Sequence, residues 1–206
     1  QMVMLKIGNK IDARNAAIEA CVPVVPASGS LPEDQAGILA AAEKLGLPVM
    51  LKASWGGGGR GMRVGREAAG IEDAVRMARG EALSYFGNAE VYFEKLVEKP
   101  RHVEVQILGD HHGNVVHLFE RDCSLQRRHQ KMVERAPAPY LTDAQRAEVC
   151  AAAVRLARHT GLDNAGTVEF LFNAADGKFH FIEVNPRVQV EHTVTEEITG
   201  IDIVKA

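Results

Sequence analysis

The sequence predicts an α+β fold in which strand pairs and helices follow one another without the regular βαβ repeat of a parallel sheet. Residues 47–86 have the order strand, glycine loop, strand and helix. Residues 101–109 alternate between apolar and polar side chains, and strands predicted at 166–172 and 178–185 are joined by a short Asp-Gly turn. These observations indicate a smaller unit around the glycine loop and a larger unit built on an antiparallel sheet.

The composition excludes several classes of protein. The chain has 206 residues, 46% hydrophobic and 25% charged, a balance typical of globular domains. A formal net charge of -3 gives no reason to expect nucleic acid or a membrane surface as a partner. No apolar run approaches the roughly 18 residues of a spanning helix. The three cysteines lack Cys-x-x-Cys spacing, so we expect reduced thiols and neither a zinc site nor a disulfide framework.

In the first half of the chain, hydrophobic periodicity and Pro or Gly breaks define the elements. An Ala-rich helix comes first, and a Pro-containing stretch at 22–32 ends it. The predicted elements are helices at 9–21 and 33–45, strands at 48–53 and 62–64, and a helix at 71–86.

In the second half, the longest predicted helix has clear boundaries. Thr142 and Gln145 form a capping box at its start, and Gly161 stands where a helix stop is expected. The other predicted elements are strands at 90–97, 101–109 and 115–120, the helix itself at 142–159, and the two strands of the Asp-Gly hairpin. One face of the strand at 101–109 comprises Val103, Val105 and Ile107, and the other comprises His102, Glu104 and Gln106.

The glycine run is a candidate phosphate-binding loop. Residues 56–59 and 61 are all glycine, so the backbone can close over phosphates and donate several N–H groups to them. No Gly-Lys-Ser/Thr sequence follows, which excludes a Walker A loop. Lys52 precedes the glycines and could hold phosphate charge as a point cation. The alternative is a flexible surface hairpin.

Two carboxylates on consecutive strands form a candidate metal site. A three-residue loop ending at Gly177 would place Glu169 directly opposite Glu183. Opposed like charges destabilise a sheet unless a cation lies between them. Asn185 falls on the same face as Glu183, and two carboxylates with an amide oxygen suit Mg²⁺ shared with nucleotide phosphates. The alternative is a solvated face with an accidental glutamate pair. The core is expected behind the pair, at Val168, Phe170 and Phe172.

Two further segments concentrate polar groups. In residues 183–192, Arg187 can contact a planar oxyanion such as bicarbonate, and Glu191 can act as a general base beside it. The alternative for both residues is a surface ion pair. The basic segment at 121–131 is either a solvated face or an anion site, and it lacks the interleaved aromatic residues of a nucleic-acid site.

Four segments together carry a resemblance to a known family. They are KASWGGGGRGMR at 52–63, PRHVE at 100–104, ERDCSLQRRHQK at 120–131 and EVNPRVQVEH at 183–192. Through these segments, and over nearly its full length, the chain resembles the ATP-grasp portion of biotin carboxylase. The resemblance implies an ATP-grasp fold with ATP between two subdomains. These would be a small glycine-flap subdomain at 25–96 and a larger antiparallel-sheet subdomain at 97–206, after an entry helix region at 1–24.

Matching positions in these segments imply roles for individual residues. The implied ATP-binding residues are Lys10, Lys52, Gly57, Gly58, Gly59, Glu94, Lys95, Val97, His102, Gln126 and His129. The implied metal ligands are Glu169, Glu183 and Asn185, and the implied bicarbonate-binding residues are Lys131, Arg187, Gln189 and Val190. The implied catalytic residues are Glu191, which would deprotonate bicarbonate, Arg187, which would also stabilise the biotin enolate, and Lys131.

The resemblance also implies a reaction and its participants. ATP would phosphorylate bicarbonate to carboxyphosphate, which would carboxylate biotin. The implied cofactors are ATP, Mg²⁺ or Mn²⁺, and biotin on a carrier domain outside this chain. The implied partners are that carrier domain, a carboxyltransferase domain and bicarbonate, in a homo-oligomeric parent enzyme. Trp55 and residues 133–141 are most similar to pyruvate carboxylases, with acetyl-CoA and propionyl-CoA carboxylases as alternatives.

Residues 204–206 read as part of a continuing helix, and neither end of the chain carries a clear terminal cap, so we expect an excised part of a longer enzyme that is inactive alone. An ATP-binding module without turnover is therefore an alternative function. Another ATP-grasp ligase, such as carbamoyl-phosphate synthetase, is a third, and the segment at 121–131 argues against it. The Ala-rich composition favours a bacterial cytoplasmic location, or the mitochondrial matrix if the source is eukaryotic.

Overall fold

The computed structural model describes residues 7, 9–55, 62–128 and 130–206. These residues divide into a smaller unit, Val25–Glu98 with Asn9–Ile11, and a larger unit that contains Asp12–Val24 and Lys99–Ala206. The predicted subdomain bounds of 1–24, 25–96 and 97–206 stay a prediction. Gly57, Gly58, Gly59 and His129 lie outside the described residues, and so does the interpretation of the glycine run as a flap.

The elements follow the predicted order closely. In chain order they are α1 (Lys10–Glu19), β1 (Ala27–Ser30), α2 (Gln35–Leu45), β2 (Val49–Ala53), β3 (Arg63–Gly65), α3 (Ile71–Phe86), β4 (Val91–Lys95), β5 (Arg101–Gly109), β6 (Val115–Arg127), β7 (Gln130–Arg135), α4 (Asp143–Thr160), β8 (Ala165–Phe172), β9 (Phe179–Asn185) and α5 (His192–Thr199). None of the described helices combines the length and hydropathy needed to cross a membrane.

The smaller unit is an antiparallel sheet with strand order β1-β4-β2-β3, packed against α2 and α3. Alternation along β2 buries Val49, Leu51 and Ala53 in the core and leaves Lys52 on the opposite face. Helix α3 has the predicted bounds, and its apolar residues complete the core at i, i+4 and i+7 spacing. These residues are Ile71, Val75, Ala78 and Ala82.

The larger unit is an antiparallel sheet with strand order β7-β6-β5-β8-β9, and α4 covers one face. The predicted core residues of β5 and β8 lie on this face and are fully or almost fully buried; they are Val103, Val105, Ile107, Val168, Phe170 and Phe172. The predicted capping box of α4 is confirmed: Gln145 N donates to Thr142 Oγ1 at 3.3 Å, and Thr142 N donates to Gln145 Oε1 at 3.0 Å. The helix ends at Gly161, whose φ of 71° favours glycine.

The structure differs from the sequence expectations in four places. Strand β1 lies in the predicted Pro-containing break, where no apolar alternation marks it. The segment at 121–131 is not an isolated basic face, because β6 continues through Arg127 and β7 begins at Gln130. The helix expected to continue through residues 204–206 is wrong: the last helix, α5, ends at Thr199, and Gly200 follows it in the left-handed conformation. The Asp-Gly loop has four residues and not three, since Asn173 N donates to the Lys178 carbonyl at 2.8 Å.

Asp122 ties β6 to β7 and to the chain that leads into α4. Its Oδ1 accepts hydrogen bonds from Ser124 and from the Tyr140 hydroxyl at 2.9 Å, and its Oδ2 accepts from Arg135 Nε at 2.9 Å. Burial alone would raise the pKa of Asp122, but these hydrogen bonds outweigh it and hold the pKa below its ordinary value. The ionised carboxylate is therefore part of the folded structure.

Replacing Asp122 by asparagine is expected to lower the free energy of unfolding by about 1–3 kcal/mol at pH 7, because a charged acceptor for three side chains is lost. The folded pKa is the lower one, so the stabilisation is complete above the unfolded pKa of about 3.9 and is lost as the pH falls through the folded pKa. In urea unfolding, the difference in free energy of unfolding between the parent and Asp122→Asn should become smaller as the pH falls. Asp163→Asn, at an exposed side chain, is the control, and a gap independent of pH would contradict the assignment.

Candidate functional site

One row of side chains crosses four neighbouring strands on the sheet face opposite the core. Arg121 of β6 pairs with Glu104 of β5, Glu104 with Glu169 of β8, and Glu169 with Glu183 of β9. The predicted opposition of Glu169 and Glu183 is confirmed, although the loop differs from the one expected. The four-residue loop shifts the pairing of β8 with β9 by one residue relative to the predicted register, and a bulge between Glu169 and Phe170 restores that register at Glu169.

The Lys131 ammonium supplies positive charge within this row. Its Nζ donates to Glu169 Oε1 at 2.9 Å, to Glu191 Oε1 at 2.7 Å, and to Glu104 Oε2. The lysine side chain is only 17% exposed, and Glu104 is fully buried. Burial would lower the pKa of Lys131, but the charges of Glu169 and Glu104 outweigh it and raise the pKa. We call Lys131 with Glu104, Glu169 and Glu191 the lysine cluster.

Glu169 is the most heavily bonded carboxylate of the lysine cluster. Its Oε1 accepts from Lys131 and from Asn185 Nδ2, both at 2.9 Å, and from Gln189 Nε2 at 3.4 Å. Its Oε2 lies 2.8 Å from His102 Nε2. Burial alone would raise the pKa of Glu169; the hydrogen bond from His102 and the charge of Lys131 outweigh it and lower the pKa. Glu169 is therefore held as a carboxylate.

Gln126 fixes the orientation of the His102 ring. Its Nε2 donates to the Cys123 carbonyl and to His102 Nδ1, both at 2.8 Å. Because Nδ1 accepts this hydrogen bond, Nε2 is the nitrogen that donates to Glu169 Oε2. Two residues with implied ATP roles, His102 and Gln126, are thereby joined to one with an implied metal role.

Glu191, which immediately precedes α5, belongs to the same network. It is the N-cap residue of that helix, and its side chain is 9% exposed. Burial would raise the pKa of Glu191, but the hydrogen bond from Lys131 outweighs it and lowers the pKa. Gln189, one of the predicted bicarbonate-binding residues, lies two residues before Glu191. It is buried and accepts a hydrogen bond from Thr167.

The other two predicted bicarbonate residues lie outside this network. Val190 is 90% exposed. Arg187 is also exposed, and its Nη1 donates to the Val188 carbonyl at 3.3 Å. Within the described residues, Arg187 makes no hydrogen bond to the lysine cluster. Its implied contact with bicarbonate stays a prediction.

In the smaller unit, Lys52 and Glu94 form a buried ion pair. Their side chains are 11% and 7% exposed, and the Tyr92 hydroxyl donates to Glu94 Oε1 at 3.0 Å. Lys10 lies at the start of α1 with its backbone N bonded to the Ser54 carbonyl at 2.9 Å. The structure therefore brings together Lys52 and Glu94, two of the implied ATP-binding residues.

Lys95 is the last residue of β4, and Val97 lies just after that strand. The Lys95 ammonium donates to the carbonyls of Gly46 and Leu47, at 2.7 Å and 3.1 Å. It thereby satisfies carbonyl groups at the C-terminus of α2. Val97 is half-buried, two residues beyond the strand. A contact between Lys95 and a nucleotide would use backbone atoms while the side chain keeps this role.

The donor set on the row fits a hard divalent cation. Glu169 and Glu183 supply carboxylates from facing positions, and Asn185 supplies an amide two residues along β9. Glu169 is ionised, as a ligand must be. A second grouping, His102 with Glu104 and Glu169, has potential ligand atoms within 4.8 Å of one another. In that grouping Glu104 and Glu169 both contact the Lys131 ammonium, and Glu104 also pairs with Arg121.

Sequence reasoning assigned no role to Glu104 or Arg121. Both side chains are fully buried, and they form an ion pair with Arg121 Nε 2.6 Å from Glu104 Oε1. The alternation of β5 did place Glu104 on the polar face with His102. The apolar face of β5 lies in the core, so the polar residues on its opposite face already indicated that a larger polar cluster exists there.

Comparison with known proteins identifies the class. The sequence profile of the family described as carbamoyl-phosphate synthase L chain, ATP binding domain, matches residues 9–206. The chain belongs to this family of ATP-binding domains. Among individual proteins, it is 55% identical over 204 residues to pyruvate carboxylase 1 of Caenorhabditis elegans, a match that covers 99% of this chain and 17% of that protein.

Solved structures add two close neighbours. Rhizobium etli pyruvate carboxylase, with the allosteric activator acetyl coenzyme A, has a TM-score of 0.94 and 62% identity, over 98% of this chain and 18% of that one. The biotin carboxylase domain of Hydrogenobacter thermophilus 2-oxoglutarate carboxylase, with MgADP, ADP and bicarbonate, has a TM-score of 0.94 and 45% identity, over 98% and 45%. The predicted α+β ATP-grasp fold and the resemblance to biotin carboxylase are confirmed.

Proposed function

We propose that this chain is the ATP-binding part of the biotin carboxylase unit of a longer carboxylase that acts on pyruvate. The observation that carries the proposal is the lysine cluster, in which one ammonium joins three carboxylates on a buried polar sheet face. The chain spans 17% of the length of the pyruvate carboxylases that it matches, so the acceptor substrate rests on sequence identity alone.

Lys131 and Glu191 would carry out the acid–base chemistry. Lys131 holds Glu191 in its ionised form, which is the form that accepts a proton. An anionic bicarbonate would compete with Glu191 for the Lys131 ammonium. Loss of that hydrogen bond would raise the pKa of Glu191 and make it a better base at the moment when its substrate is present. Glu191 Oε1 would take the proton of bicarbonate, which then attacks the γ-phosphorus of ATP as ADP leaves.

The metal and the nucleotide would engage the remaining residues. Glu169, Glu183 and Asn185 would hold the divalent ion, and Lys52 would carry phosphate charge once released from Glu94. When bound, Mg²⁺ would neutralise charge on the transferring phosphoryl group. His102 holds Glu169 in place as a ligand through the bond at its Oε2.

The first test is calorimetric titration of this chain with MgATP, beside the variant Glu183→Gln. Glutamine keeps the size of the side chain and removes its charge, so we expect binding in the parent and at least about 10-fold weaker binding in the variant. Glu98→Gln, at an exposed side chain, is the control and should bind as the parent does. Equal binding by the parent and Glu183→Gln would remove Glu183 from the metal site.

The second test concerns turnover in the complete enzyme that carries this sequence. Bicarbonate-dependent release of ADP, with oxaloacetate formed only when pyruvate is supplied, supports the proposal. If the enzyme instead carboxylates acetyl-CoA or propionyl-CoA and not pyruvate, the sequence belongs to an acetyl-CoA or propionyl-CoA carboxylase. MgATP binding without bicarbonate-dependent turnover would favour a nucleotide-binding module.

A further inference from the structure

Arg121 is a fully buried charge with no role in the reaction described so far. It lies on β6, directly opposite Glu104 on β5. Its Nε donates to Glu104 Oε1 at 2.6 Å, and its Nη1 donates to Gln106 Oε1 and to Thr195 Oγ1, both at 2.8 Å. The guanidinium therefore joins two residues of β5 to helix α5.

Both ends of this connection lead to the lysine cluster. The second oxygen of Glu104, Oε2, accepts a hydrogen bond from Lys131. Thr195 lies in α5, one turn after the N-cap residue Glu191, and it is fully buried. Arg121 thus contacts the anchor of the Lys131 ammonium on one side and the helix that carries Glu191 on the other.

The charge of Arg121 also matters to an incoming anion. Without it, the carboxylates of the lysine cluster would face one ammonium, that of Lys131. Arg121 pairs with Glu104 at zero exposure, where charges interact through a low dielectric. It therefore offsets one negative charge beside the position proposed for bicarbonate, and it leaves more of the Lys131 ammonium available to an anion.

Stability alone gives little reason to bury this ion pair. Apolar residues of similar volume often stabilise a core as well as a buried salt bridge does. Arg121 Nη2 is buried without a hydrogen-bond partner among the described residues, which adds a cost. A guanidinium kept in this position despite that cost favours a role in arranging the neighbouring charges.

We propose that Arg121 is a positioning residue for bicarbonate activation: through Glu104 it aligns the Lys131 ammonium, and through Thr195 it fixes the helix that carries Glu191. The proposal rests on the proposed function of the lysine cluster. It extends that function to a residue that touches neither substrate nor metal. The guanidinium is required because it donates in two directions at once, toward Glu104 and toward Thr195.

The test is steady-state kinetics of Arg121→Lys and Arg121→Gln in the complete enzyme, with bicarbonate and ATP varied separately. We expect kcat/KM for bicarbonate to fall at least about 10-fold in Arg121→Gln, because a charge-assisted hydrogen bond is lost. The KM for ATP should stay within about 2-fold. Arg121→Lys keeps the charge and loses the fork, so its value should lie between those of the parent and the glutamine variant.

A matched pair on the other face of the same strand provides the control. Arg146 Nε donates to the fully buried Glu120 at 2.8 Å, and Glu120 pairs with Val105 on the core side. Arg146→Lys disturbs a buried Arg–Glu pair without touching the lysine cluster, so it should lower stability and leave kcat/KM for bicarbonate, per folded enzyme, unchanged. Equal kinetic losses in the Arg121 and Arg146 variants, in proportion to the folded fraction, would overturn the proposal.

Thr195→Val keeps the proposal testable if the Arg121 variants do not fold. It removes only the hydroxyl acceptor of Arg121 Nη1, and we expect a fall in kcat/KM for bicarbonate smaller than that of Arg121→Gln, with normal ATP binding. An unchanged kcat/KM for bicarbonate would contradict the proposal. Absence of bicarbonate-dependent turnover in the parent enzyme would reject the proposed function. Normal turnover in the parent, with unaffected variants, would reject only the role of Arg121.

Discussion

Replacing Glu191 by glutamine in the complete enzyme is expected to lower bicarbonate-dependent ATP turnover by about 100-fold or more while MgATP binding stays intact. The glutamine oxygen can still accept the hydrogen bond that Lys131 donates at 2.7 Å. The amide cannot take a proton, so only the acid–base step is lost. Initial rates of ADP release with and without bicarbonate, beside a calorimetric MgATP titration, measure both parts of the expectation.

Glu197→Gln is the matched control for this variant. Glu197 lies on the same helix, α5, and is exposed, so the same chemical change there should leave turnover close to that of the parent. Near-normal turnover in Glu191→Gln would remove Glu191 from the role of base. Loss of MgATP binding in Glu191→Gln would mean that the residue supports the nucleotide site and not the proton transfer.

Local patterns in the sequence predicted the faces of the strands. Alternation along 101–109 separated Val103 and Val105, which are buried in the core, from Glu104, which lies on the polar face. Helix α4 was predicted from its capping box because both hydrogen bonds of that motif are formed within four residues. Such features depend on neighbours in sequence, and they were predicted correctly.

The register between neighbouring strands could be predicted from the sequence only in part. The opposition of Glu169 and Glu183 was predicted from a three-residue hairpin loop, but it results from a four-residue loop and a compensating bulge that no local pattern indicates. The pairing of Glu104 with Arg121 joins strands whose pairing is itself interrupted by a bulge between Val105 and Ile107. No local pattern fixes that register, so the ion pair at the centre of the site could not be predicted.

Two further parts of the site depend on elements whose bounds the sequence did not indicate. Strand β7, which carries Lys131, is short and largely polar, and it is exposed or half-buried along its length. Helix α5 has eight residues, too few for a clear helical periodicity, and its N-cap Glu191 makes no side-chain capping bond. The resemblance to biotin carboxylase supplied the roles of Lys131 and Glu191, and the structure supplied their contact.

Lys131 should matter for stability as well as for catalysis. Replacing Lys131 by methionine leaves Glu104, Glu169 and Glu191 without the ammonium that they share. Removing one partner of a buried ion pair typically costs about 3–5 kcal/mol, because the remaining charge is uncompensated. Lys131 is 17% exposed, so we expect the lower end, about 3 kcal/mol, in the free energy of unfolding by urea at pH 7. Bicarbonate-dependent turnover should be lost at the same time.

The same substitution at an exposed ion pair separates the effect of burial from the effect of the residue type. Lys178 lies 3.7 Å from Asp176 and is 71% exposed, so Lys178→Met should change stability by less than about 0.5 kcal/mol. If repulsion among the carboxylates causes the loss at Lys131, Glu191→Gln should restore part of it in the Lys131→Met background, with a coupling energy of about 0.5–3 kcal/mol. A Lys131→Met variant as stable as the parent would show that these carboxylates tolerate one another without the lysine, and the lysine cluster would then be a catalytic arrangement with no part in holding the sheet together.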